Sequence, residues 1–193
     1  MIFAHCFVGV AGSVVLFAGS ATATEPNPPG VLVDDSRLSG PDVNISLTIP
    51  TGWHQITSQA DPQLLQMVYP NTCSEQLRCA SAMARVLSMQ ATSAQAEAQA
   101  AEQAITSQPG VQSATVTSES PTQIAGRNGY QVRFTFSTAK AKFQAATAAV
   151  ETGLASSGTV PTSLIFVTVS DLAGAPPASV IDQIVGSAQL VTK

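Results

Sequence analysis

The chain has 193 residues, a net charge of −4 and a pI near 4.9, and only 10% of its residues are charged although 45% are apolar. An average soluble domain is about 25% charged, so Ala, Ser, Thr and Gln fill the surface here, and the apolar content excludes a disordered chain. The closest basic pair is Lys140 and Lys142; nucleic-acid binding needs a clustered cationic face, so that class is excluded.

Residues 6–18, CFVGVAGSVVLFA, form an apolar run of 13, followed by Gly19-Ser20-Ala21-Thr22-Ala23. The run suits a signal-peptide core and is short for a membrane span, which needs about 20 residues. Small residues at the end place cleavage after Ala23 and predict a leader over residues 1–23, which would leave a chain of 170 residues with no stable membrane span. The leader carries His5 but no Lys or Arg ahead of its core, a departure that a start codon further upstream would explain. Cys6 stands too early to be a lipid-attachment site, so the residues predict a protein exported to the envelope or secreted, and not lipid-anchored. Residues 24–40, with Pro26, Pro28, Pro29, Gly30 and the acidic pair Asp34-Asp35, are expected to be a flexible, solvated lead-in to a single domain over 41–193.

Asp42 to Ile49 alternates: Val43, Ile45, Leu47 and Ile49 lie on one side, Asn44, Ser46 and Thr48 on the other. Period two over this length is a half-buried strand. Pro50-Thr51-Gly52 breaks it and Trp53 follows at the turn. Leu64 to Tyr69 is a second apolar run, closed by Pro70, and Ala80 to Gln90 a third. Between them lie Cys73 and Cys79, the cysteines that remain after the leader. An even pair in an oxidising compartment reads as a disulfide, worth about 2 kcal/mol for so short a loop; a metal or redox pair is the rival reading, and the ligands and spacing for either are missing.

Thr92 to Ser107 carries Ala94, Ala98, Ala101 and Ile105 at helical spacing, with Thr92 or Ser93 as cap and Pro109-Gly110 as stop. Val111 to Ser118 and Thr122 to Gly126 predict two strands, and Asn128-Gly129 a hairpin turn. Tyr130, Val132, Phe134 and Phe136 alternate with polar residues in the clearest strand of the chain. Phe143, Ala146, Val150 and Leu154 fit a helical stripe, which predicts a helix over 139–155. Leu164 to Val169 is continuously apolar, as in a strand covered on both faces, and Ile181, Ile184, Val185 and Ala188 mark a last helix after Pro176-Pro177. The order gives an α+β fold, an antiparallel sheet with helices against it.

A strand ending in Pro50-Thr51-Gly52-Trp53, an Ala-rich helix, a hairpin around Gly126-Arg127-Asn128-Gly129-Tyr130, a buried strand and a final amphipathic helix together resemble the LpqN/LpqT-type envelope proteins of mycobacteria over residues 40–190. The resemblance implies a PsbP-like α/β/α sandwich and an envelope or secreted binding protein for a lipid, a glycolipid or a protein partner. It brings no catalytic motif. The anchoring of many members does not transfer, because the attachment cysteine is missing.

The residues themselves point away from an enzyme. After the leader the only histidine is His54, at a strand end where a solvated turn histidine is the simplest reading, and there is no nucleophile elbow and no phosphate-binding loop. No catalytic residue, metal site or cofactor is assigned. Trp53, Tyr69, Tyr130 and Phe134 are the candidate pocket residues, each either core or cleft lining. A pocket is expected between the sheet and the Ala-rich helix, where small side chains leave room for an apolar guest. The rival functions are a module that docks on an envelope or host protein, and an envelope hydrolase built on His54 or on paired acids.

Overall fold

The computed structural model describes residues 32–40, 43–57, 64–70, 72 and 80–191. Among them, alternation of side chains along the chain builds two antiparallel sheets. β1 (Leu32–Leu38), β2 (Ile45–Pro50) and β10 (Gln189–Leu190) make a small sheet ordered β1-β2-β10. β3 (His54–Thr57), β4 (Leu65–Tyr69), β5 (Ala82–Ala91), β6 (Ser113–Ile124), β7 (Arg127–Ser137), β8 (Lys142–Glu151) and β9 (Val160–Ser170) make a seven-stranded sheet ordered β3-β4-β5-β9-β8-β7-β6. Successive side chains of a strand project to opposite faces, so each face of the large sheet needs its own cover. One face, with Ala84, Val86, Ala146, Ala148, Ile165 and Val167, packs against the small sheet and α2 (Val180–Gly186). The other, with Val132, Phe134, Ala145, Ala149, Leu164 and Phe166, packs against α1 (Ala94–Thr106).

α1 starts where its sequence dictates. The Ser93 side chain accepts from the Ala96 N–H at 3.1 Å, satisfying one free donor of the first turn. Ala94, Ala98, Ala101 and Ile105 are buried as the spacing requires. Thr147 Oγ1 on β8 donates to the Ala98 carbonyl at 2.8 Å. A side chain that short reaches a helix backbone only because alanines face each other across the contact.

Four expectations are corrected. The stretch 139–155 contains a strand, β8, in place of a helix. Ala145 to Val150 are all buried, because β8 lies between β7 and β9 with cover on both faces. A strand in that position shows no alternation, and the apparent helical stripe was coincidence: Leu154, its last member, is 90% exposed beyond the strand end. Pairing on two sides outweighs the weak β-propensity of alanine. Secondly, the lead-in 24–40 holds β1, whose Leu38 is fully buried. Arg37 ties it down: Nε donates to Ser46 Oγ at 2.9 Å, Nη1 to Thr48 Oγ1 at 3.0 Å, and Nη2 to the Ser46 and Ser187 carbonyls at 2.9 Å. Thirdly, the two strands expected between Val111 and Gly126 are one, β6, running through Pro121. β6 is the sheet edge, where a residue without an N–H leaves no ladder bond unmade on the open side. Lastly, the hairpin turns at Ala125-Gly126, with φ of 51° and 72°, the left-handed pair of a type I′ turn. Asn128 and Gly129 lie in the ladder opposite Gln123 and Thr122. A Cβ on Gly129 would stand 2.7 Å from the Ala149 carbonyl oxygen, so close packing on β8 explains that glycine.

Candidate ligand-binding face

Register places two transverse rows of side chains on the α1 face of the large sheet. One row runs Ile56, Gln66, Arg85, Phe166, Thr147, Val132. The adjacent row runs His54, Val68, Met83, Thr168, Ala145, Phe134. α1 lies over the β7–β8 end of both rows. Toward the β3-β4-β5-β9 end the two rows bring together the polar side chains His54, Gln66, Arg85 and Thr168. Gln66 and Arg85 are direct cross-strand partners, and Arg85 Nε donates to Gln66 Oε1 at 3.2 Å. Thr168 is the diagonal neighbour of Arg85, and His54 the diagonal neighbour of Gln66, each about 7–8 Å away between backbones.

This cluster is incompletely satisfied. Thr168 is 7% exposed and its Oγ1 is buried without a hydrogen-bond partner, and His54 Nδ1 is also buried without one. Burial pushes the Arg85 pKa below its ordinary value, and among the described residues no carboxylate is paired with it. Glu97, the buried acid of α1, forms no ion pair with it, and burial raises the Glu97 pKa above its ordinary value. The two half-buried arginines differ. Arg37 places hydrogen bonds from all three of its nitrogens on protein oxygens, one of them the Ser187 carbonyl at the C-terminal end of α2, where a cation is favoured. Among the described residues Arg85 gives a single bond, to a neutral amide. Arg37 is thereby explained by the fold, and Arg85 is not.

The residues named from sequence do not converge. Trp53 and Tyr69 pack together, ring centroids 6.2 Å apart, in the core on the face opposite α1. Phe134 is buried on the α1 face beside Phe136, centroids 6.1 Å apart, and Tyr130 borders the same cluster with its hydroxyl 3.4 Å from Glu119. Under the Ala-rich helix, small side chains on both surfaces let helix and sheet approach closely enough for Thr147 Oγ1 to bond the Ala98 carbonyl. A depression of about 260 Å³ lies on the β6–β7 hairpin, lined by Pro121, Thr122, Gln123, Asn128 and Gly129. Gln123 and Asn128 satisfy each other there at 3.0 Å, and nothing in it calls for a ligand. His54 opens β3 half-buried, in place of the solvated turn position expected. A general-base histidine needs an orienting acceptor on its second nitrogen, and His54 Nδ1 has none. Cys73, Cys79 and the leader 1–23 lie outside the described residues. Gln66, Arg85 and Thr168 were missed. Their signal was one polar side chain, Gln66 or Thr168, within a short apolar run, and in Ala80–Gln90 the one charged residue, Arg85.

No protein-family profile and no curated protein matches this chain. Solved structures match at the level of fold. Cyanobacterial PsbP (CyanoP) of Synechocystis sp. PCC 6803 is 12% identical with a TM-score of 0.51, over 90% of this chain and 98% of that one. The Ran-binding protein Mog1p of Saccharomyces cerevisiae is 12% identical with a TM-score of 0.50, over 77% and 90%. LpqN of Mycobacterium tuberculosis, involved in cell envelope biogenesis, is 14% identical with a TM-score of 0.49, over 77% and 83%. A protein of Bacteroides thetaiotaomicron VPI-5482 is 9% identical with a TM-score of 0.46, and this chain spans 49% of its length. The α+β sandwich is thus PsbP-like. A cyanobacterial PsbP and a yeast Ran-binding protein share it, so the fold by itself carries no function. Among the described residues no helix is long and apolar enough to cross a membrane.

Proposed function

We propose that this chain is an exported, non-enzymatic binding protein of the cell envelope that holds an amphipathic ligand on the α1 face of its large sheet. The observation that carries this reading is Arg85, a half-buried cation with one neutral partner, set beside the unpartnered Thr168 hydroxyl and flanked by Met83 and Phe166. Burying a cation without a counter-charge costs stability, so a site that keeps one is accounted for by a ligand that completes it. The leader, cleaved after Ala23, supplies export, and a Cys73–Cys79 disulfide fits the oxidising compartment. The low surface charge suits the same setting. Native mass spectrometry of protein purified from its own host tests the reading. A co-purifying envelope lipid is expected. An apo mass that stays unshifted on addition of host lipid extract overturns it.

A second reading, docking on an envelope protein, is favoured by Leu154, 90% exposed on the loop between β8 and β9. It requires that Leu154→Ser abolish capture of a specific envelope protein.

A further inference from the structure

We infer that the ligand carries a single anionic head group, a carboxylate or a phosphate monoester, seated on the Arg85 guanidinium, with an aliphatic chain against Met83, Leu87 and Phe166. This rests on the binding reading above and names the ligand's chemistry.

The guanidinium presents five N–H donors in a rigid plane, and the edge bearing its two terminal nitrogens matches the two oxygens of a carboxylate or phosphate. Gln66 Oε1 accepts from Nε. That bond fixes the plane from one side and leaves both terminal nitrogens without an acceptor among the described residues. A structural arginine is treated differently in this same chain: Arg37 finds oxygens for Nε, Nη1 and Nη2. Thr168, diagonal to Arg85 across β5 and β9, adds a buried hydroxyl with no partner among the described residues. A hydroxyl can donate to the same anion, and filling Oγ1 removes the cost of leaving it unmade.

The surroundings set the rest of the molecule. Along β5, Met83, Leu87 and Met89 share the α1 face with Arg85, and all three are half-buried hydrophobics at the border of the α1 cluster. Methionine and leucine adapt to a flexible aliphatic chain, and would serve a compact, fully hydrated anion poorly. Cation and apolar strip lie on one strand at two-residue spacing, so one extended amphiphile along β5 meets both.

Calorimetric titration of the protein with decanoate, decyl phosphate and decanol tests the inference, with acetate and inorganic phosphate as head groups alone. Charge-assisted hydrogen bonds predict that decanoate and decyl phosphate bind about ten-fold or more tighter than decanol. Arg85→Met is expected to erase that difference. Arg85→Lys, which keeps the charge without the fork, is expected to retain part of it. Equal binding of decanol and the anions overturns the inference and leaves the binding reading standing. So does a preference that survives Arg85→Met with the variant folded by circular dichroism. Inorganic phosphate binding as tightly as decyl phosphate overturns the amphiphile in favour of a soluble anion. Binding of none of the five, with host lipid extract also inert, removes both the inference and the reading beneath it.

Discussion

If Arg85 is kept for a ligand, removing it should make the empty protein more stable. Methionine matches the length of the arginine stem and is apolar. Replacing buried charges by apolar residues of similar volume is neutral to stabilising by about 1–4 kcal/mol. Arg85→Met also strips Gln66 Oε1 of its donor at 3.2 Å, which costs about 1 kcal/mol. The single variant is therefore expected to lie between about 1 kcal/mol less and about 3 kcal/mol more stable. Gln66→Leu is the opposite case, because it leaves the guanidinium without its one partner, and a loss of about 1–3 kcal/mol is expected. The double variant Arg85→Met/Gln66→Leu leaves neither group orphaned and should be the most stable of the set. The two residues face each other in register, so their effects should be strongly non-additive. Urea and thermal unfolding without added ligand read these values directly; in a domain of this size 1 kcal/mol moves Tm by about 2–4 °C. A loss of about 2 kcal/mol or more in both Arg85→Met and the double variant would mean that Arg85 holds the sheet together, and would refute the argument from its missing counter-charge.

Burial raises the Glu97 pKa in the folded state above its ordinary value of 4.5, so the native protein holds that proton more tightly than the unfolded chain. The stability this confers is complete below pH 4.5 and is lost as pH rises through the raised folded value, so Glu97→Gln should raise Tm at pH 7 and leave it nearly unchanged at pH 4, by differential scanning calorimetry. Ala98 is fully buried where α1 meets Thr147, and Ala98→Leu should cost about 1–3 kcal/mol in urea unfolding and speed amide exchange along α1. Ala125 stands at φ 51°, a conformation asparagine tolerates better than alanine, so Ala125→Asn should gain about 0.5–1 kcal/mol. Mass spectrometry of the exported protein under non-reducing conditions should find no free thiol at Cys73 or Cys79.

Much of the architecture was legible where one face of an element meets water or a single neighbour. Val132, Phe134 and Phe136 alternate because the intervening side chains of β7 are more exposed. Ser93 and the alanine spacing after it announce α1 because a helix needs a cap and one buried stripe. The periodic signal fails in the middle of the sandwich. β8 is covered on both faces, so Ala145 to Val150 show neither period, and a chance 3.6-residue spacing stands out. β1 escaped notice for a different reason: its anchor is Arg37 bonded to Ser46, Thr48 and Ser187, a contact between distant residues that no local pattern carries. The candidate face depends on register in the same way. Arg85 and Gln66 each stand out as a polar residue in an apolar run, but that they touch follows only from β4 lying beside β5. Trp53 and Tyr130 were equally visible as aromatics, and only the register of the paired strands puts them on opposite faces.

The most direct test is to map the bound site. In ¹⁵N-edited NMR spectra of the protein titrated with decanoate, amide shifts are expected for β4, β5 and β9 around Gln66, Arg85 and Thr168 and along the flank of α1, with β6, the β6–β7 turn and the small sheet unmoved. Shifts centred on the β6–β7 hairpin or on the Trp53–Tyr69 side, with β5 silent, would contradict the account.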